Sequence, residues 1–330
     1  MIKIKKLIVL ALVGCLFTSC SASKSDVKDR ASQEEISEAK AVTSGINVSV
    51  STFASSTILD YMVKGENQAY EVKFEDDLGK LMEGKFDIAV VPAIMAPAIY
   101  NATNSGVNIC AISLLNNLYT MSDTEINSAK DLFGKTLLLK DMGTSLDKAI
   151  ESKLSILKNL LGMDIAFYKD SNDLSDMILE KKSFLAILPE PYLYKINRDR
   201  KYIAYDFSEI LPFLSLDKQG LENDLISEVV LVNKKFAKDN NNNNALDKFL
   251  DDYKNATEKI QNNPQMSASL INKYGLNSKE IEEIYRSLNI VYIDGDTMKG
   301  MFNIYMDTLE KIKLNFYQGE RPGDDFYYVK

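Results

Sequence analysis

The residues best suited to hold a ligand sit where helices should begin. Thr52, Ser55, Ser56 and Thr57 form a hydroxyl-rich stretch ahead of an apolar helical run over 58–63. Gly143, Thr144 and Ser145 precede a long periodic helix over 146–161. A helix N-terminus offers free N–H groups and the positive end of the helix dipole, so such hydroxyls suit an anionic or carbonyl group. The same hydroxyls also serve as plain N-caps, with Ser55, Ser56 or Thr57 the natural cap of the first helix. Gly143 permits positive φ and close approach of backbone. The spacing and lysine of a phosphate-binding loop are missing. Pro92 and Ala93 end an apolar strand, where they expose backbone to a ligand or simply punctuate the chain. Glu190 can accept hydrogen bonds from a ligand amine or pair with a lysine. Tyr119 and Tyr192 can stack on a ring or pack in a core.

This set is equipped for binding rather than bond-making. The chain has no histidine and no tryptophan, which removes histidine-based triads and histidine metal sites. The pairs Asp251-Asp252 and Asp324-Asp325 suit solvated surface, because side chains of neighbouring residues seldom converge on one site. Cys110 lies in the apolar run 107–115 and reads as an inert core thiol. The expectation is a chain that is not an enzyme, with no catalytic residue, no cofactor and no metal.

The elements that must carry these groups follow from periodicity. The stretch 84–101 opens with a short β-branched apolar run, 88–91, stopped by Pro92; it reads as a buried strand followed by a helix made irregular by Pro97. The stretch 179–191 repeats this order of apolar run, proline and turn, which suggests two lobes built on one plan. Further strands are expected at 46–50, 70–74, 107–115, 136–139, 165–168, 202–205 and 228–232, and the stretch 210–225 suits a loop between lobes. Residues 116–119 leave one strand without starting another, and helical patterns with short turns fill 246–315. Strands alternating with helices predict parallel α/β layers. Crossings near 116–119 and 210–228 divide the chain into lobe 1 (46–116 and 228–330) and lobe 2 (117–227).

The N-terminus reads as an export leader. Lys3, Lys5 and Lys6 precede an apolar segment over 7–17, too short to span a bilayer. Small residues then lead to Cys20, so residues 1–19 resemble a bacterial lipoprotein signal and 20–45 a polar tether. Cys15 competes as the lipidated residue, with a more cramped apolar segment before it. A net charge of −8 without a basic block argues against nucleic acid as a partner.

The ordered set of 83–101, Asp131 to Lys135, Gly143 to Ser145, Leu188 to Tyr192, 228–238 and Gly323 to Tyr328 resembles the substrate-binding proteins of ABC importers. The resemblance is to the branch that includes nitrate, sulfonate or taurine, and thiamine-precursor binders. It implies a type II periplasmic binding fold: two α/β lobes, a central cleft and two crossover segments. It implies a monomer, anchored by lipid in a bacterial cell envelope, that takes a small-molecule ligand, anionic or heteroaromatic, to an ABC permease. Thiamine-precursor binders commonly use histidine or tryptophan around the ring, so an identical binding mode is excluded. A sensor or adhesin, or a biosynthetic enzyme on the same fold, are the alternatives.

Overall fold

The computed structural model describes residues 45–63, 70–75, 77–142, 145–214, 225–239, 242–262, 268–311 and 316–328. The leader and tether expectations, Cys15 and Cys20 included, lie outside these residues, as do Gly143 and Thr144. Among the described residues, no helix is long and apolar enough to cross a membrane.

Eleven strands are described: β1 (Ile46–Val50), β2 (Tyr70–Phe74), β3 (Ile88–Pro92), β4 (Val107–Leu115), β5 (Tyr119–Ser122), β6 (Thr136–Lys140), β7 (Asp164–Tyr168), β8 (Phe184–Leu188), β9 (Ile203–Asp206), β10 (Ile226–Asn233) and β11 (Asn289–Ile293). The β-branched runs of β3 and β10 are buried on both faces, as strands covered on both sides must be. One sheet has the order β11-β4-β10-β3-β1-β2 and the other β7-β6-β8-β5-β9.

Setting β11 aside, the two sheets share one plan. From one edge each runs second strand, first strand, third strand, then a strand arriving antiparallel from the other half, then the fourth. In the first sheet the arriving strand is β10, antiparallel to β3 and β4. In the second it is β5, antiparallel to β8 and β9. The strands β3 and β8 hold the same third place. Their sequence echo is therefore an echo of position, with the proline closing each strand at corresponding ends.

Parallel layers were expected, and both sheets have parallel strands at their heart; the antiparallel strands are an addition to that plan. They exist because the chain crosses between sheets twice, once from β4 into β5 and once from β9 towards β10. Two strands were not foreseen. β5 has four residues, too few to show a period, and β11 pairs only at the edge of its sheet. The stretch 210–225, expected as a loop, begins inside a helix, Phe207–Leu214.

Each sheet is covered on both faces. Phe249, Tyr253 and Tyr285 pack on one face of the first sheet, and Phe302, Phe316 and Phe326 on the other. Tyr168 and Phe184 fill one face of the second sheet, and Leu132, Leu137 and Leu185 the other. The C-terminal stretch is part of this core. Phe326 is fully buried, and the Tyr328 N–H donates to the Ile109 carbonyl at 2.9 Å. Asp325 accepts from Tyr100 and Lys234, and Asp324 pairs with Lys299.

Candidate ligand site

Because the crossings leave β4 and β9 at their C-terminal ends, the C-terminal ends of the parallel strands in both sheets face the region between the lobes. The site is assembled from those ends.

On the first sheet, β1 ends at Val50 and the helix Phe53–Val63 follows almost at once. The Thr52 carbonyl accepts the Ser56 N–H at 3.0 Å, which puts Thr52 in the N-cap place. Ser55, Ser56 and Thr57 were expected before the helix and lie inside it, buried. The start moves because Phe53 is buried against the rings of Tyr274 and Tyr285, a tertiary contact that local pattern cannot show. The Ser56 hydroxyl donates back to the Thr52 carbonyl at 2.6 Å and that of Thr57 to the Phe53 carbonyl at 3.2 Å. Both hydroxyls are thereby used by the helix itself.

Ser55 points elsewhere. Its hydroxyl donates to a carboxylate oxygen of Glu228 and accepts from the Tyr253 hydroxyl at 2.9 Å. Glu228, at the start of β10, pairs in register with Pro92 at the end of β3. Sequence reasoning missed Glu228 and Tyr253. The available signal was an acid heading the apolar run of β10, a placement that costs free energy unless the group is put to use. Burial pushes the Glu228 carboxyl up to about 7, against the pull of Ser55 and Thr52 in the other direction. Thr52 Oγ1 lies beside Glu228 without completing a hydrogen bond, and Ser51 Oγ has no partner among the described residues; both oxygens are buried. Pro92 is half-buried, and Ala93 is buried at the start of a 3-10 turn, Ala93–Met95.

On the second sheet, Met142 follows β6 and packs against the core of the first lobe. Its N–H donates to Asp147 at 3.0 Å, in the first turn of the helix Ser145–Leu161. Tyr119 opens β5, half-buried. Its phenol is pushed up to about 12 by burial first, then by the charges of Glu190 and Asp206. Tyr192 opens the helix Tyr192–Asn197, with its ring 5.9 Å from that of Tyr168.

Glu190 is only 7% exposed. One of its carboxylate oxygens accepts the Tyr194 N–H at 3.0 Å, capping that helix. Its own N–H donates to the Asn117 side chain at 2.9 Å. Among the described residues no lysine or arginine pairs with it, so the lysine pairing is not formed there. Burial pushes its carboxyl up to about 7, with the Tyr194 N–H acting against the shift.

The crossovers bind the two halves of the site. Asn116 and Leu225 exchange hydrogen bonds, Asn116 N–H to Leu225 carbonyl at 2.8 Å and Leu225 N–H to the Asn116 side chain at 2.7 Å. Asn116 has φ 55°, a left-handed conformation that asparagine tolerates. The Asn117 N–H donates to Ser227 Oγ at 2.8 Å. A continuous path therefore runs from Glu190 through Asn117 to Ser227, next to Glu228. Beyond the crossovers the lobes touch, Tyr194 donating to Glu283 at 2.7 Å and Arg198 pairing with Glu280 at 3.2 Å.

No protein-family model and no curated protein matches the chain. Solved structures do. An ABC transporter from Parabacteroides distasonis is 19% identical, with a TM-score of 0.58 over 87% of this chain and 99% of that one. The alkanesulfonate-binding protein SsuA from Xanthomonas axonopodis pv. citri, bound to MOPS, is 10% identical, with a TM-score of 0.56 over 82% and 93%. A Candida albicans gene product with the generic periplasmic binding protein structural fold is 13% identical, with a TM-score of 0.52 over 85% and 92%. The chain has the periplasmic binding protein fold. At these identities the likeness concerns architecture, and the shared strand plan of the two sheets is its physical content.

Proposed function

We propose that the chain is a lipid-anchored substrate-binding protein of an ABC importer. It captures a small organic solute between its lobes, without chemistry, and hands it to a membrane permease. The observation that carries this is the pairing of two like-built sheets. Their strand ends carry buried polar groups, the backbone passes between them at two places, and hydrogen bonds of Asn116, Asn117, Leu225 and Ser227 tie those passages together. Such a joint lets lobes close on a guest while a few residues absorb the motion, and enclosure with a few placed polar groups supplies affinity. Contacts are assigned to Thr52, Ser55, Pro92, Ala93, Tyr119, Glu190 and Tyr192, and to Gly143, Thr144 and Ser145. Cys20 carries the lipid.

The test is thermal melting with candidate solutes, followed by recovery of the solute. A bound guest raises the melting temperature by mass action and is recovered unchanged; recovery of a converted product overturns the proposal. Labelled palmitate should enter the exported chain and be lost in Cys20→Ala but not in Cys15→Ala.

A further inference from the structure

A guest's charge should complement the groups that receive it. At and just after the strand ends of the second sheet stand Asp141, Asp170, Glu190 and Asp206 with Lys140 and Lys169, and Glu228 stands near the start of β10. The Lys140 ammonium is itself directed to the carbonyls of Asp141 and Lys169. Glu190 is the most telling of the acids. It sits two residues after the end of β8, buried, with one backbone N–H on its carboxylate and no cation among the described residues. A buried carboxylate of this kind is costly when ionised, and the cost is removed by a positive partner that completes the pair. An aromatic ring stands near it, since Tyr119 feels its charge; Tyr192, two residues on, has its ring against that of Tyr168. Ring faces attract cations, and carboxylate with tyrosine suits ammonium groups. On the facing lobe the buried hydroxyl oxygen of Ser51 has no hydrogen-bond partner among the described residues and can accept from a guest's N–H.

We propose that the guest is a small organic cation, a protonated amine or quaternary ammonium, whose charge rests on the Glu190 carboxylate with the Tyr119 ring alongside. This rests on the reading of the chain as a solute-binding protein and narrows it. It also separates this chain from the alkanesulfonate-binding neighbour, since an anion would meet the Glu190 carboxylate here.

The experiment is calorimetry and thermal melting of the full chain with two sets of probes. One set is choline, tetramethylammonium and agmatine; the other is taurine, methanesulfonate and nitrate. At least one cation should bind and raise the melting temperature, and the anions should not. Glu190→Gln should weaken that cation at least tenfold while the unliganded variant melts no lower than the parent. Glu190→Asp, which keeps the charge, should recover part of the loss. Tyr119→Phe should bind like the parent and Tyr119→Ala should not. Binding of an anion without any cation, or undiminished cation binding by Glu190→Gln, overturns the assignment but leaves a solute-binding protein standing. Should neither set bind, the small molecule released on denaturing protein purified from its own cells decides. A cation supports the proposal and an anion or neutral molecule overturns it. No released molecule at all removes the binding-protein reading as well.

Discussion

Glu228 should make the unliganded protein less stable as pH rises. The group is 3% exposed, and its carboxyl is pushed from 4.5 up to about 7 by burial. Below the ordinary carboxylate range, folded and unfolded chains are both protonated and the group adds nothing to the difference. Between about 4.5 and 7 the folded chain keeps a proton that the unfolded chain releases. The folded state therefore binds more protons, and stability falls with rising pH until the folded group ionises near 7. A rise of that size corresponds to about 3 kcal/mol between pH 4 and pH 8, at 1.36 kcal/mol per pKa unit. Glu190, raised likewise to about 7, acts in the same direction. Glu228→Gln keeps an oxygen to accept from Ser55, so the chain of hydrogen bonds from Tyr253 through Ser55 survives while the ionisation is removed. Urea unfolding at pH 5 and pH 8 reads the difference. The parent should lose stability over that interval, and the variant should lose about 2 to 3 kcal/mol less, most of the single-group effect. Equal pH dependence in parent and variant would refute the burial of an ionisable group at this position.

Ser55→Ala should cost about 1 to 3 kcal/mol in urea unfolding, because it strands both the Tyr253 hydroxyl and the Glu228 carboxyl in the core. Phe326→Ala should cost about 3 to 5 kcal/mol by the same assay, since its ring fills the core beside Phe302 and Tyr100. Affinity for a cationic guest should rise with pH between 5 and 8 as Glu190 ionises, by up to about a hundredfold for a carboxyl near 7; titration calorimetry across that range checks it.

Much of the architecture was legible because burial on both faces of a strand writes a continuous β-branched run. The runs of β3 and β8, each closed by a proline, even disclosed the internal repeat. The antiparallel strands were not legible, because strand direction depends on where the chain returns after a crossing. β5 was also too short to carry a pattern. The helix after β1 was placed too late because Phe53 belongs to it through contacts with Tyr274 and Tyr285, more than 200 positions away. Glu190 stood out as an acid between prolines. Glu228 did not, since its meaning depends on facing Pro92 in register and on Ser55, 173 positions away on the helix after β1. Of the expected second hydroxyl site, Gly143 and Thr144 lie outside the described residues, and Ser145 opens the helix after β6.

Native mass spectrometry of the protein purified from its own cells tests the central claim most directly. The account predicts a single added mass, that of one intact organic cation, displaced by excess choline or agmatine and absent from Glu190→Gln prepared the same way. A bare protein mass in the parent, or a bound anion that Glu190→Gln retains, would contradict it.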